Sequence, residues 1–499
     1  MSDLPEPRRD GAAVLPRRAA RGAMWATVEV WGNEALQFVM FAILAKLLGP
    51  EAYGILGLAL IFVLAGQTVI IAGGWMEAII QRQDLRSDHL DSIFYFVCGL
   101  AMALAIGATA GAGWVADLFD EPMLGQVIPW LALALPIASF NVVPLGLLQR
   151  ELRLAPLAVR GTVGVSVAGL VAITMALAGW GVWSLVAYEL IQPLVGVVVF
   201  WTAQRWRPGV RFSWGALAEI AGYSARISGE RIVMLGENLV PRIATGRLLG
   251  TASVGFWTLA RKIFDFSAEL VQRPAMRVAM PMFARAQSQP RALADMLKLS
   301  IELTALAAIP GYVLMLTLSP DLVLLLFGEP WLPAATLLQV LAVAGLFMPA
   351  QQLLAVLTQA VGRPGASLAA ALLGFLILLV GMVALSPWGL AGIAAAYVLR
   401  TLGLVVLRAL YLRQTLGLPL LRVFAGVPPL AGAGALMLGT VIAVEQAMGS
   451  GSPSVLDVAA QVLAGSGAYL LGLGLLARPL LRRCVAFART ALAPSPAAA

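Results

Sequence analysis

The chain has 499 residues, 60% of them hydrophobic and only 12% charged, with a mean hydropathy of +0.88 and a formal net charge of +8. A soluble chain of this length is about half apolar and a quarter charged, so the composition excludes a soluble fold. Apolar runs of roughly 20 residues suit membrane-spanning helices rather than the short alternating strands of a barrel. The excess of 34 Lys and Arg over 26 Asp and Glu needs no nucleic acid, because basic cytoplasmic loops would account for it. In chain order, a basic tail over 1–22 holds Arg8, Arg9, Arg17, Arg18 and Arg21. It leads into a full-length span and reads as an uncleaved first helix. "RRAARGAMW" reads as an orientation signal, with an interfacial amphipathic start as the alternative. About fourteen spans follow, at 23–47, 55–78, 92–116, 126–148, 160–179, 182–203, 218–245, 252–278, 296–317, 335–360, 366–385, 390–411, 424–445 and 456–477.

Alternate connections are basic ("QRQDLR", "QRELR", "QRWRPGVR", "GRPG", "RPLLRR"), and the others hold almost no Lys or Arg ("LGPEAYG", "DLFDEPM", "AGWG", "LFGEP", "SPWG"). By the positive-inside rule both termini are expected in the cytoplasm, on a multi-pass membrane protein. Two cysteines, Cys98 and Cys484, give no disulfide framework. The single histidine, His89, is expected in a polar loop, which disfavours His-ligated metal sites and His-based triads.

The second half echoes the first. "AKLLGPEAYGILGLA" at 45–59 matches "GRLLGTASVGFWTLA" at 246–260, offset by 201; "LFDEPML" at 118–124 matches "LFGEPWL" at 326–332, and "GWGV" at 179–182 matches "PWGL" at 387–390, both offset by 208. Three matches in one order predict a duplication into parallel units of about six spans, related by an axis along the membrane normal. The expected organisation is a tail (1–22), an N-lobe (23–203), a cytoplasmic linker (204–217), a C-lobe (218–411), two further spans (412–477) and a cytoplasmic C-tail (478–499).

Charges inside the spans carry the functional signal. Residues 225–250 hold four arginines, two glutamates and an asparagine. At about 100° per residue, Arg226, Glu230 and Glu237 share one face and Arg231, Asn238 and Arg242 a second. Gly222, Gly229 and Gly236 form a row nearly opposite the second face, where a neighbouring helix can approach closely. Pro241 is expected to bend this helix. The next span carries Arg261, Asp265, Glu269 and Arg273 four apart, with Lys262 off that row. The first span carries Glu29, Asn33 and Gln37 four apart, with Glu34 beside them.

An Arg or Asp at the bilayer centre costs roughly 2.5–3.5 kcal/mol, so such groups pair or line a wet cavity. Internal pairs, Arg226 with Glu230 and Arg261 with Asp265, are one reading. That reading leaves Arg231, Arg242, Lys262 and Arg273 unused and points to an anionic ligand for Arg231 and Arg242. Lys46 and Arg247, at span ends, read as snorkelling.

Fourteen spans in two parallel lobes, the basic N-tail, "LLGPEAYGILGLA", and "GENLVPRIATGRLLG" followed by "GFWTLARKIF" resemble the bacterial polysaccharide and oligosaccharide-lipid flippases of the multidrug/oligosaccharidyl-lipid/polysaccharide exporter superfamily. The resemblance implies an all-α fold with two six-helix lobes in a V plus two C-terminal helices. It implies carriage of a glycan linked to undecaprenyl pyrophosphate across the inner membrane by alternating access. By that resemblance Arg226, Arg231, Asn238, Arg242, Arg261 and Lys262 are candidate substrate contacts, and Glu29, Glu230, Glu237, Asp265 and Glu269 candidate coupling or gating carboxylates. No cofactor or metal is implied beyond possible H+ or Na+ coupling. The partners implied are the lipid-linked glycan, membrane lipids, and the polymerase and glycosyltransferases of the same pathway. The sequence departs from the family in having Glu237, not Asp, before the asparagine of the seventh span.

A peptidoglycan-precursor flippase and a drug/cation antiporter of the same superfamily remain alternatives; an organic cation wants acids and aromatics where this chain has arginines. A membrane polymerase or ligase would need a sizeable outer loop with acid/base groups. The best such pair here, Asp120 and Glu121, reads as a turn or cap. A structural scaffold is the remaining alternative, and it would not need buried unpaired arginines.

Overall fold

A computed structural model gives the fold. It describes residues 14–480 apart from 73, 288, 363, 449–453 and 479, with side chains from 32 onward except at 71–73, 220–232, 234, 273, 274, 277, 278 and 364 as well. Every regular element among the described residues is helical. In order these are α1 (Val14–Ala72), α2 (Trp75–Gln81), α3 (Ser87–Leu118), α4 (Pro122–Ala132), α5 (Ala134–Ser139), α6 (Val142–Arg150), α7 (Ala155–Leu177) and α8 (Val182–Ala203). The second half runs through α9 (Trp214–Leu249), α10 (Thr251–Ala286), α11 (Pro290–Phe327), α12 (Pro333–Ala360), α13 (Pro364–Leu385), α14 (Gly389–Leu416), α15 (Leu420–Phe424), α16 (Val427–Met448) and α17 (Val455–Leu476). Among the described residues ten helices are long and apolar enough to cross a membrane. The chain is a multi-pass membrane protein. α9 and α10 are not among the ten, because charges interrupt their apolar runs.

Three expectations about elements need correction. The loop expected between the first two spans is a one-residue kink inside α1: Gly49 sits at φ 76°, ψ 176°, and Pro50 starts the second limb. That backbone region is open to glycine almost alone, and proline is preformed for a first helical position. The span expected at 126–148 is broken into α4, α5 and α6, with Pro122 and Val142 starting two of the pieces and Pro129, Pro136 and Pro144 within them. His89 is not in a loop. It is fully buried in the first turn of α3, where its Nδ1 accepts the Arg86 backbone N–H at 3.2 Å.

The repeated strings adopt repeated backbones. Gly250, the counterpart of Gly49, sits at φ 84°, ψ 171°. Gly181 and Gly389, offset by 208, sit at φ 55°, ψ −130° and φ 64°, ψ −143°. The two copies also touch reciprocally. A Cβ on Gly54 would lie 2.0 Å from the Thr251 carbonyl oxygen, and one on Gly255 would lie 1.9 Å from the Pro50 carbonyl oxygen. Gly54 and Gly255, like Pro50 and Thr251, are related by the offset of 201, so this is one contact made twice. Aromatic rings surround it. Trp331 is buried, donates its indole N–H to the Ala45 carbonyl at 3.0 Å, and packs edge-on against Tyr53 and Phe256.

α1 packs against α9 and α10, while α7 pairs with α8, α11 with α12, and α13 with α14. α16 and α17 pack on each other and on α11, sharing a separate core of Ile309, Leu430, Met437 and Leu473, and Tyr469 Oη donates to the Leu306 carbonyl at 3.0 Å. Glycines allow close helix approach where lipid offers no hydrophobic drive. At Gly345 on α12 a Cβ would meet the buried Tyr312 ring at 2.3 Å, whereas at Gly311 on α11 it would meet nothing within 4 Å. Gly345→Ala should therefore destabilise the protein by about 1–3 kcal/mol through overpacking, and Gly311→Ala should leave it unchanged or slightly firmer. Thermal unfolding in detergent checks the pair.

Candidate functional site

Three of the expected cationic residues, Arg242, Arg261 and Lys262, meet where the two copies face each other. α9 and α10 bring Arg242, Arg261, Lys262 and Asp265 to a cavity of about 360 Å³, whose opposite wall is Gln37, Tyr53 and Gly57 of α1 with Tyr188, Glu189 and Gln192 of α8. Arg242 Nη1 donates to the Gly57 carbonyl at 3.2 Å, and this cation makes no ion pair among the described residues. Arg261 pairs with Asp265 at 2.8 Å and stacks its guanidinium over Tyr397, 4.8 Å from the ring centre. The internal pair expected for Arg261 is thus present, and Arg261 also lines the cavity. Its Nη1 is buried without a hydrogen-bond partner among the described residues. Lys262 makes no hydrogen bond or ion pair among the described residues and lies within electrostatic range of Glu189 and Asp265.

A second cavity, about 670 Å³, adjoins the first and shares Arg261 and Asp265 with it. α9, α10, α12, α13 and α14 enclose it, with Glu237, Glu269, Arg400 and Arg408 on its wall. Here Glu237 and Arg400 form a two-pronged ion pair, Nε to Oε1 at 3.1 Å and Nη2 to Oε2, in which the side chains are only 17% and 11% exposed. Glu237 therefore neutralises a cation on α14 and does not face Arg242. Breaking a buried pair leaves an uncompensated charge and costs about 3–5 kcal/mol, while replacing both partners by similar-sized uncharged groups is close to neutral. Arg400→Met alone should lower the melting temperature sharply, and Glu237→Gln combined with Arg400→Met should recover most of it. A third cavity, about 480 Å³, lies among α1, α5, α6, α7 and α8 and shares Glu189 and Gln192 with the first.

Asn238, expected on the Arg242 face, is exposed and lines none of these three cavities. Four residues of helix turn it by about 40° from Arg242. Arg226, Glu230, Arg231 and Glu29, and Arg273 with them, lie outside the described side chains. Of the glycine row, Gly236 packs against the Phe375 ring of α13, where a Cβ would come within 2.8 Å, while Gly222 and Gly229 lie outside the described side chains. Arg160, Glu189, Arg400 and Arg408 were not singled out from the sequence. The available signal was their cost: each falls within a stretch read as a span.

At the far end of α9 the two copies are tied by charge. Arg82, in the α2–α3 connection, binds Glu219 at 2.6 Å and Asp84 at 2.9 Å; His89 Nε2 lies 3.3 Å from Glu219 and Arg86 Nη2 3.7 Å from it. A hydrogen bond from Arg82 holds the Asp84 carboxyl below its ordinary range. This side of the network is intact at neutral pH and is lost as pH falls through that lowered value. The connection over 204–213 is not slack: Gly209 N–H donates to Asp91 at 3.0 Å, Ser213 N–H to Ser92 at 2.9 Å, and Tyr95 to the Gly209 carbonyl at 2.9 Å.

Among the described residues the chain is an all-helical membrane bundle with repeated turns and buried arginines beside them. The polysaccharide biosynthesis protein family matches residues 43–336, more than half of the chain, and the chain belongs to that family. It is 25% identical over 337 residues to the succinoglycan biosynthesis transport protein ExoT of Rhizobium meliloti (strain 1021), covering 67% of this chain and 68% of that protein. It is 23% identical over 343 residues to the lipopolysaccharide biosynthesis protein WzxC of Escherichia coli (strain K12), covering 66% and 68%. Among solved structures, the lipid II flippase MurJ in an inward closed conformation shares the fold with a TM-score of 0.73 at 13% identity, covering 92% of this chain and all of that one. An inward-facing multidrug resistance MATE family transporter shares it with a TM-score of 0.62 at 17% identity, covering 77% and 94%.

Proposed function

We propose that this protein is a flippase that carries an undecaprenyl-pyrophosphate-linked oligosaccharide, a precursor of exopolysaccharide, capsule or lipopolysaccharide, across the bacterial inner membrane. The chain is a transporter and not an enzyme, in keeping with its family and with relatives named as transport and flippase proteins. The observation that carries the substrate reading is the meeting of Arg242, Arg261 and Lys262 at one cavity between the two copies. A guanidinium fork bonds phosphate oxygens in pairs, which suits a diphosphate better than an organic cation.

In this reading the chain crosses the membrane fourteen times, as two six-helix lobes plus two helices, with both termini in the cytoplasm. Support for that count comes from the ten apolar helices, two of which, at Gly32–Gln81 and Gly365–Leu416, are long enough for two crossings each, together with the charged α9 and α10. The lobes touch both near the Gly49 and Gly250 turns and through Glu219, and in this reading one of these two contacts opens at a time. Asp265 and Glu269, with Glu29 and Glu230, are the carboxylates through which H+ or Na+ would couple, while Glu237 is held by Arg400.

Deleting the protein from its producing strain should stop polymer export and leave the lipid-linked glycan on the cytoplasmic face, and wild-type protein should restore export. Export that continues undiminished would contradict the proposal. Rescue of a strain depleted of its peptidoglycan-precursor flippase would favour that substrate instead.

A further inference from the structure

The cavity in the second copy and the one in the first are counterparts. Three positions of α14 that line the former, Tyr397, Arg400 and Arg408, correspond at the offset of 208 to Glu189, Gln192 and Phe200 of α8, which line the latter. Duplication thus produced two equivalent hollows, and substitution has since made them different. Both are rich in side-chain amides. The hollow of the first copy carries Gln67, Asn141, Gln149 and Gln192, and that of the second carries Gln272, Gln351, Gln352 and Gln359.

We infer that the hollow of the second copy, between α10, α12 and α14, is the glycan subsite, and that it takes an uncharged, hydroxyl-rich sugar next to the diphosphate. This rests on the proposed function and assigns the part of the substrate that the arginine cavity does not. An amide offers one acceptor oxygen and two N–H donors, so a wall of amides meets sugar hydroxyls, which donate and accept in turn. Gln272 and Gln351 are buried, and Gln272 spends an amide N–H on the thioether of Met348 at 3.7 Å, a weak acceptor that a hydroxyl would readily replace.

Charge explains why the ligand there is neutral. Arg261 is matched by Asp265 and Arg400 by Glu237, and Arg408 and Glu269 add one charge of each sign, so the wall holds little net field for a second anion. Contiguity explains the choice between hollows. The second-copy hollow joins the phosphate cavity at the matched pair Arg261 and Asp265, whereas the first-copy hollow joins it at Gln192 and at Glu189, a carboxylate with no ion pair among the described residues. At about 670 Å³ the favoured hollow is also the larger and falls within the usual range for small-ligand sites.

The test uses full-length protein in lipid nanodiscs with two probes, undecaprenyl pyrophosphate and the same lipid bearing one hexose. Gln351→Leu with Gln352→Leu should weaken binding of the hexose-bearing probe by about tenfold, the value of one or two hydrogen bonds, and leave the bare probe unchanged. Gln67→Leu with Gln149→Leu should change neither. Unchanged binding of the bare probe reports that the variant is folded. If the double variant loses that binding too, Gln359→Leu, exposed at the cavity mouth, is read in the same way. The inference is overturned if the substituted second-copy hollow binds the hexose-bearing lipid as wild type does, or if the sugar-specific loss follows Gln67 and Gln149. A failure of the proposed function is distinct: Arg242→Ala would then leave binding of the bare lipid intact.

Discussion

Arg242→Ala should reduce polymer export at least tenfold, and Arg242→Ala with Lys262→Ala should abolish it. A charge-assisted hydrogen bond to phosphate is worth about 1.5–3 kcal/mol, and desolvation within the bundle makes both groups hard to replace. Arg242→Lys keeps the charge but loses the fork, so it should restore export only in part. The competing explanation is structural, because Arg242 also ties α9 to the Gly57 carbonyl of α1. The two are separable. A purely structural arginine would lower the melting temperature and leave undecaprenyl pyrophosphate binding by the folded fraction unchanged, whereas a phosphate ligand would lose that binding at nearly constant melting temperature. Arg261→Ala is the poorer probe, since it also strands Asp265; Arg261→Lys avoids this.

The second large effect is expected from Gly54 and Gly255. A side chain at either position runs into a backbone oxygen about 2 Å away on the opposite copy, and no rotamer change relieves a clash at Cβ. Gly54→Leu or Gly255→Leu should therefore disfavour the arrangement closed at this end by about 1–3 kcal/mol, shifting its population about 5- to 150-fold. Gly99→Leu, where a Cβ would meet nothing within 4 Å, serves as control. Thr258 lines the cavity and provides the reporter. With Cys98 and Cys484 replaced by serine, Thr258→Cys should be labelled by an impermeant thiol reagent from one face of the membrane in the parent. It should become reachable from the other face once Gly54→Leu is added. Labelling from the same face in both would show that this reciprocal contact does not close the bundle.

Much of this was legible in the residues because it rests on local cost and repetition. Charges in α9 and α10 stand out against apolar surroundings, and the echo of "LLGPEAYG" in "LLGTASVG" coincides with the shared backbone of Gly49 and Gly250. The partners were not legible. Glu237 faces an arginine on α14 that nothing near it in sequence announces, so it reads as available for coupling until the fold joins the two. Glu189 and Arg160 are single charges in α8 and α7 without a four-residue echo, and a search for striped faces passes over them. His89 lies among polar residues and reads as exposed, yet the α2–α3 connection folds over it and Glu219 reaches it from α9. The glycan subsite required both the duplication and the cavities it produced.

The most direct measurement is an electron cryomicroscopy map of the full-length protein in nanodiscs with undecaprenyl pyrophosphate. Density for the two phosphates is expected between Arg242, Arg261 and Lys262, with the prenyl chain leaving towards lipid. Phosphate density elsewhere on the protein, with those three side chains turned away from it, would contradict the account.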